Sequence, residues 1–78
     1  MIKLNKNMMK LRCKNKHNQY YTQKELAKIL NITQTQISRI ENGRTPKLTD
    51  VISYSIFFEV TTDNLIFKEY NIESVKFE

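Results

Sequence analysis

Between Thr22 and Gly43 the apolar positions fall at helical spacing in two short groups. Leu26, Ala27 and Leu30 share one helical face, and Ile37 and Ile40 share another. Each group is preceded by the pattern Thr-x-x-Glu/Gln: Thr22-Gln23-Lys24-Glu25 and, eleven residues later, Thr33-Gln34-Thr35-Gln36. In such a capping box the threonine oxygen accepts the third helical N–H, and the Glu or Gln reaches back to the N–H of the cap. Asn31-Ile32 lies between the groups, and Asn is the commonest substitute for Gly in the left-handed conformation that ends a helix. After the second group come Asn42-Gly43 and then Pro46, a stop signal. The pattern predicts two helices of about eight residues joined by a tight turn.

The flanks read less uniformly. Leu4, Met8 and Leu11 form a stripe amid Lys3, Lys6, Lys10, Arg12, Lys14 and Lys16, which predicts a basic amphipathic first helix with a solvated charged face. Downstream, Ile52, Tyr54, Ile56, Phe58 and Val60 alternate with Val51, Ser53, Ser55, Phe57 and Glu59, a period-two pattern that propensity alone reads as a strand. The competing helical stripe is Leu48, Val51, Ile52, Ser55 and Phe58, with a further short helix capped by Thr61. Periodicity does not separate these two readings.

Charge adds direction to the pattern. The 78 residues carry a net charge of +5, but residues 1–47 hold +9 and residues 48–78 hold −4, so the first half is the expected anion-facing half. On the second predicted helix Gln34, Thr35, Ser38, Arg39 and Asn42 project opposite Ile37 and Ile40 and include no acid. Amide and guanidinium groups make paired hydrogen bonds to base edges in the major groove, Gln with adenine and Arg with guanine. A single cysteine, Cys13, excludes an intramolecular disulfide and a cysteine-based zinc site. His17 has no second ligand at metal spacing, and no nucleophile constellation can be assembled, so neither metal nor cofactor nor catalysis is expected. With no signal-peptide h-region and no run near the ~18 apolar residues of a membrane span, a cytoplasmic protein is expected. A chain this short reads as one small domain, since it buries only ~60% of its unfolded surface.

The stretch Thr22 to Gly43 (TQKELAKILNITQTQISRIENG) resembles the TQxELAxxLGxSxxxISxxENG pattern of the Xre/Cro-type phage-repressor helix-turn-helix family. The likeness extends over roughly residues 4 to 67. It implies an all-α, five-helix, lambda-repressor-like domain over residues 1–67, with its helix-turn-helix at 22–43, a fourth helix at 48–58 and a fifth at 62–67. By the same likeness Thr33 to Asn42 is the recognition helix, with Gln34, Thr35, Ser38 and Arg39 at base edges. Thr22, Gln23, Asn42, Arg44, Thr45 and Lys47 are then assigned to phosphate, and Arg12 and Glu41 to a partly buried structural ion pair. The chain departs from the pattern in three ways. Nine residues separate Leu11-Arg12 from Thr22-Gln23 where about five are usual, which implies a longer first helix or a bulged loop; Asn31 replaces the turn Gly; Glu59 and Phe57 replace smaller residues.

The expected function is therefore a sequence-specific regulator of transcription that binds double-stranded DNA, a repressor acting as a homodimer on a near-palindromic operator. The alternative is an antitoxin or accessory module that binds a second protein through its C-terminal segment and DNA for autoregulation. Asn, Ile and Lys fill 27 of 78 positions, and their AT-rich codons suit a low-GC bacterium or its mobile elements. If the fourth helix turns Leu48, Val51, Ile52, Ser55 and Phe58 inward, Tyr54 and Phe57 remain for a dimer interface, with Phe67 and Tyr70. Residues 68–78 form a C-terminal extension in this reading, with a candidate strand at Glu73 to Glu78.

Overall fold

The computed structural model describes residues 2–68, and within them the caps behave largely as local chemistry dictates. Thr22 is extended; its Oγ1 accepts from the Glu25 N–H at 3.0 Å, and Glu25 Oε1 accepts from the Thr22 N–H at 2.9 Å. This complete capping box starts a helix over Gln23–Leu30. Thr33 likewise accepts the Gln36 N–H at 3.0 Å and starts the helix Gln34–Glu41. Here the box stays half-made, against expectation. The Gln36 side chain turns away and donates to Asp50 Oδ2 at 2.9 Å, a charge-assisted bond stronger than the neutral one its carbonyl would accept from the Thr33 N–H.

With those two numbered second and third, the described residues hold five helices and no strand: α1 (Ile2–Cys13), α2 (Gln23–Leu30), α3 (Gln34–Glu41), α4 (Leu48–Phe58) and α5 (Thr62–Phe67). The ambiguous stretch is thus helical. Three helix ends use a left-handed residue whose successor bonds back across the last turn. Asn31 (φ 58°) lets the Ile32 N–H reach the Ala27 carbonyl at 3.0 Å. Gly43 (φ 101°) lets the Arg44 N–H reach Arg39 at 3.0 Å, and Glu59 (φ 56°) lets Val60 reach Ser55 at 3.1 Å. Glutamate has no special tolerance for this conformation, so Glu59 carries roughly 1 kcal/mol of strain. Its carbonyl is held by Lys16 Nζ at 2.8 Å, which helps to fix it.

The core is one cluster: Leu4, Met8 and Leu11 from α1, Leu26 and Ala27 from α2, Ile37 and Ile40 from α3, Val51, Tyr54 and Phe58 from α4, and Leu65 from α5, with Tyr21 from the loop. α1 packs on α3 and α5, α2 on α3, and α4 on α5. The inward face of α4 is rotated from the expected one. Asp50, Val51, Tyr54 and Phe58 are buried, whereas Leu48 is 73% and Ile52 41% exposed. Tyr54 therefore cannot serve a dimer interface, since its exposure is 0%. Phe57 is half-buried against the rings of His17 (4.8 Å) and Tyr21 (5.5 Å), so it belongs to a ring cluster of its own domain. Phe67 stays exposed at 72%. Tyr70, the candidate strand 73–78 and all but Lys68 of the C-terminal extension lie outside the described residues.

The long α1–α2 connection resolves as a bulged loop around a buried asparagine. Asn15 Nδ2 donates to the carbonyls of Leu11 and Gln19, each at 2.8 Å, and its Oδ1 accepts the His17 N–H at 3.0 Å. Asn18 turns the chain with φ 54°. The turn carries His17 onto Phe57, Phe58 and Tyr21, with His17 Nδ1 2.9 Å from the Tyr21 hydroxyl.

The Tyr54 hydroxyl is buried without a hydrogen-bond partner among the described residues. An unsatisfied buried hydroxyl costs about 1–3 kcal/mol, so Tyr54→Phe should raise stability by about 1 kcal/mol and the melting temperature by roughly 4–8 °C. Burial also pushes the phenol pKa upward, with Glu41 adding to the effect. A raised folded-state pKa means that stability is complete below ~10, the unfolded value, and is lost as pH rises above it. Thermal melts at neutral and alkaline pH should show the wild type losing more stability above pH ~10 than Tyr54→Phe. Equal alkaline losses, or a less stable variant at neutral pH, would refute the assignment.

Candidate nucleic-acid interface

α3 buries Ile37 and Ile40, at 0% and 1% exposure, and so must present its other face outward. On that face Gln34, Thr35 and Arg39 are exposed and Ser38 is half-buried. Gln34 and Thr35 are the first two residues of α3, with Ser38 and Arg39 one turn on. The four residues expected at base edges are thus brought together on one surface. Three of them stand clear of the core on a helix too short for its own propensity to hold it.

Three other helices or loops hold that helix. Arg12 Nε donates to Glu41 Oε2 at 2.6 Å and Nη2 to Glu41 Oε1 at 3.0 Å, a two-pronged ion pair with both side chains nine-tenths buried. Arg12 Nη1 donates to the Tyr21 carbonyl at 2.9 Å, and the guanidinium stands over the Tyr20 ring, 5.6 Å from its centre. The pair with Glu41 raises the Arg12 pKa despite the opposing cost of burial, so the cation persists at every accessible pH. Gln23, at the start of α2, donates Nε2 to Glu41 Oε1 at 2.9 Å. The glutamate thereby ties α1, α2 and α3 at one point. Arg12 and Glu41 form the ion pair expected of them.

The residues assigned to phosphate have more varied surroundings. Arg44, Thr45 and Lys47 are exposed in the loop after α3, and Lys47 is the N-cap of α4. Asn42 is exposed too, but its amide nitrogen donates to the Ser38 carbonyl at 2.8 Å and so helps close α3. Thr22 uses its hydroxyl oxygen in the capping box, and Gln23 has one amide N–H committed to Glu41. Thr22 and Gln23 each keep a further donor, whereas Asn42 Nδ2 also reaches the Ser38 hydroxyl at 3.4 Å.

Two features escaped the pattern of the sequence. Asn5, 3% exposed on α1, donates Nδ2 to the carbonyls of Ile40 and Arg44, both at 2.7 Å. This fork clamps the end of the outward-facing helix and the start of the loop after it together. The signal was available: Leu4, Asn5, Met8, Leu11 and Arg12 make one continuous helical stripe, so its polar members are buried along with its apolar ones. The second feature is Asp50, also buried, which holds Gln36 and forms part of the wall of a groove of about 300 Å³ between the α2–α3 turn and the start of α4. As an acid in the first turn of α4 it also suits the positive end of that helix.

The sequence model of the helix-turn-helix family matches residues 9–65, most of the chain. The chain belongs to the Xre/Cro-type helix-turn-helix family. Its five helices fit the lambda-repressor-like form of that fold, and the domain is that of a DNA-binding transcription regulator. In helix-turn-helix terms α2 is the supporting helix and α3 the recognition helix. No curated protein and no solved structure matches the chain. Among the described residues no helix is long and apolar enough to cross a membrane.

Removing one partner of a buried ion pair strands the other charge, at a cost of roughly 3–5 kcal/mol. Arg12→Ala and Glu41→Ala should each fall in that range by urea denaturation, while the double variant should lose at least about 2 kcal/mol less than their sum. Additive losses would mean that the two charges act independently.

Proposed function

We propose that the protein is a cytoplasmic transcriptional repressor that binds a near-palindromic operator as a homodimer. The observation that carries this reading is the α3 surface: two amide or hydroxyl side chains, Gln34 and Thr35, exposed at the very start of the recognition helix, with Arg39 a turn behind. That end of the helix is the one helix-turn-helix proteins aim at base edges. Gln34, Thr35, Ser38 and Arg39 read bases, and Thr22, Gln23, Asn42, Arg44, Thr45 and Lys47 bind phosphate and set the register. The phosphate contacts supply salt-dependent affinity, and the recognition helix supplies sequence choice. Residues 1–67 act as the DNA-binding domain. A bound dimer represses by occupying the duplex that polymerase needs.

Selection of duplexes from a random pool at ~150 mM salt, which suppresses non-specific electrostatic binding, should return a two-fold symmetric motif. Repeated with Gln34→Ala, it should lose preference at one or two base pairs of each half-site. Lys47→Ala should weaken all sequences evenly and flatten the salt dependence by about one counterion. A pool without any motif would overturn the sequence-specific reading, and an even loss with both variants would overturn the division between base and phosphate contacts.

A further inference from the structure

α4 carries an apolar row that the fold leaves in solvent. Leu48 and Ile56 are each 73% exposed and Ile52 is 41% exposed, and these residues stand four apart. They lie across the helix from Val51, Tyr54 and Phe58, which are buried. Such an i, i+4, i+8 row is the ridge by which the commonest class of helix pairs interlocks. Isolated exposed apolar residues are ordinary on a protein surface, but three aligned on one short helix make a continuous ridge.

Asp50 in the first turn and Lys16 on the Glu59 carbonyl suit the dipole of α4, but the capping residues at its two exposed ends are placed against it. Lys47 caps the positive N-terminal end without a side-chain cap bond, and Arg44 is exposed just upstream. Glu59 caps the negative C-terminal end, with Asp63 exposed beyond it. A lone helix is weakened slightly by both placements. A second α4 running antiparallel corrects them, because it sets the acidic end of each copy beside the basic end of the other. A two-fold axis through Ile52 does this and brings Leu48 of one copy opposite Ile56 of the other, an isologous contact.

We infer that two copies of the chain associate through the Leu48–Ile52–Ile56 ridge, α4 against α4 in antiparallel sense. This rests on the homodimer reading above and moves its contact from Tyr54 and Phe57 to the opposite face of the same helix. Three side chains per copy fall short of the ~800 Å² per partner of a standard interface, so the association is reversible, with a dissociation constant in the micromolar range (~1–100 μM).

Sedimentation of the DNA-free protein over that range should show a monomer–dimer equilibrium. Ile56→Asp should weaken it at least about tenfold, since the substitution enters an isologous contact twice, while the helical circular dichroism and melting temperature stay unchanged at so exposed a site. Ile52→Cys in a Cys13→Ser background should form a disulfide-linked dimer under mild oxidation, because the two-fold axis brings those sulfurs into bonding range. Ile56→Asp should still bind a half-site as wild type does and lose affinity only for the full symmetric site. A wild type that stays monomeric overturns the inference, and so does a dimer that tolerates Ile56→Asp and fails to cross-link. If such a dimer is instead dissociated by Phe67→Ser, the homodimer reading stands and its seam lies at α5. A monomer that selects a single half-site overturns the homodimer reading itself.

Discussion

The recognition helix is eight residues long, and everything it does depends on Glu41 being held where Arg12 can reach it. A helix of two turns gains too little from its own hydrogen bonds to persist in water. Its direction must therefore be imposed from outside. The Arg12–Glu41 pair does this at the C-terminal end with two hydrogen bonds, and Gln23 draws the supporting helix onto the same carboxylate. Burial of the pair makes it directional: a poorly solvated charge that loses its partner has no water to replace it. The exposed first turn of α3 is then displayed from a fixed base.

α1 supplies more than that cation. Two of its asparagines, and Asn15 in the loop that follows it, act as forks that each bind a pair of carbonyls. Asn5 takes Ile40 and Arg44, Asn7 takes Leu65 at 2.8 Å and Lys68 at 2.6 Å, and Asn15 takes Leu11 and Gln19. Each amide presents two donors from one short, stiff side chain, so each can bind two carbonyls that diverge from one helix end. One basic helix thus fixes the end of the recognition helix and the end of α5, and the asparagine just beyond it fixes the long loop before α2. The same helix adds positive charge to the half of the protein expected to face phosphate.

The helix-turn-helix was legible because its information is local. Caps, the left-handed Asn31 and Gly43, and the buried pairs Leu26-Ala27 and Ile37-Ile40 all lie within a few residues of the structure they specify. α4 was not legible to the same degree. Its residues are apolar almost all round, so periodicity could decide neither helix against strand nor which side faces in. What decided the side was tertiary: Asp50 is drawn inward by Gln36, fourteen residues upstream, and Phe57 is engaged by His17 across a loop of unusual length. The Gln36 bond also explains why the second capping box, so plain in the sequence, is only half closed. Local patterns state what a side chain can do, and a stronger distant partner can still take it.

The rotation of α4 links the two halves of the molecule's character. Turning Asp50 and Tyr54 inward gives α3 a polar brace at Gln36 and fills the core beneath it, but it forces Leu48, Ile52 and Ile56 outward. A helix with this much apolar surface cannot bury all of it in a domain of five short helices. The choice that secures the reading surface is therefore the choice that leaves the ridge uncovered. In the proposed function, where α3 enters a single major groove, that cost is also an opportunity. A single such surface reads few base pairs, and doubling it on a symmetric site is the direct route to the affinity ratio that regulation over a genome requires. In the proposed dimer the burial pattern of α4 thus couples the support of one reading surface to the means of presenting two.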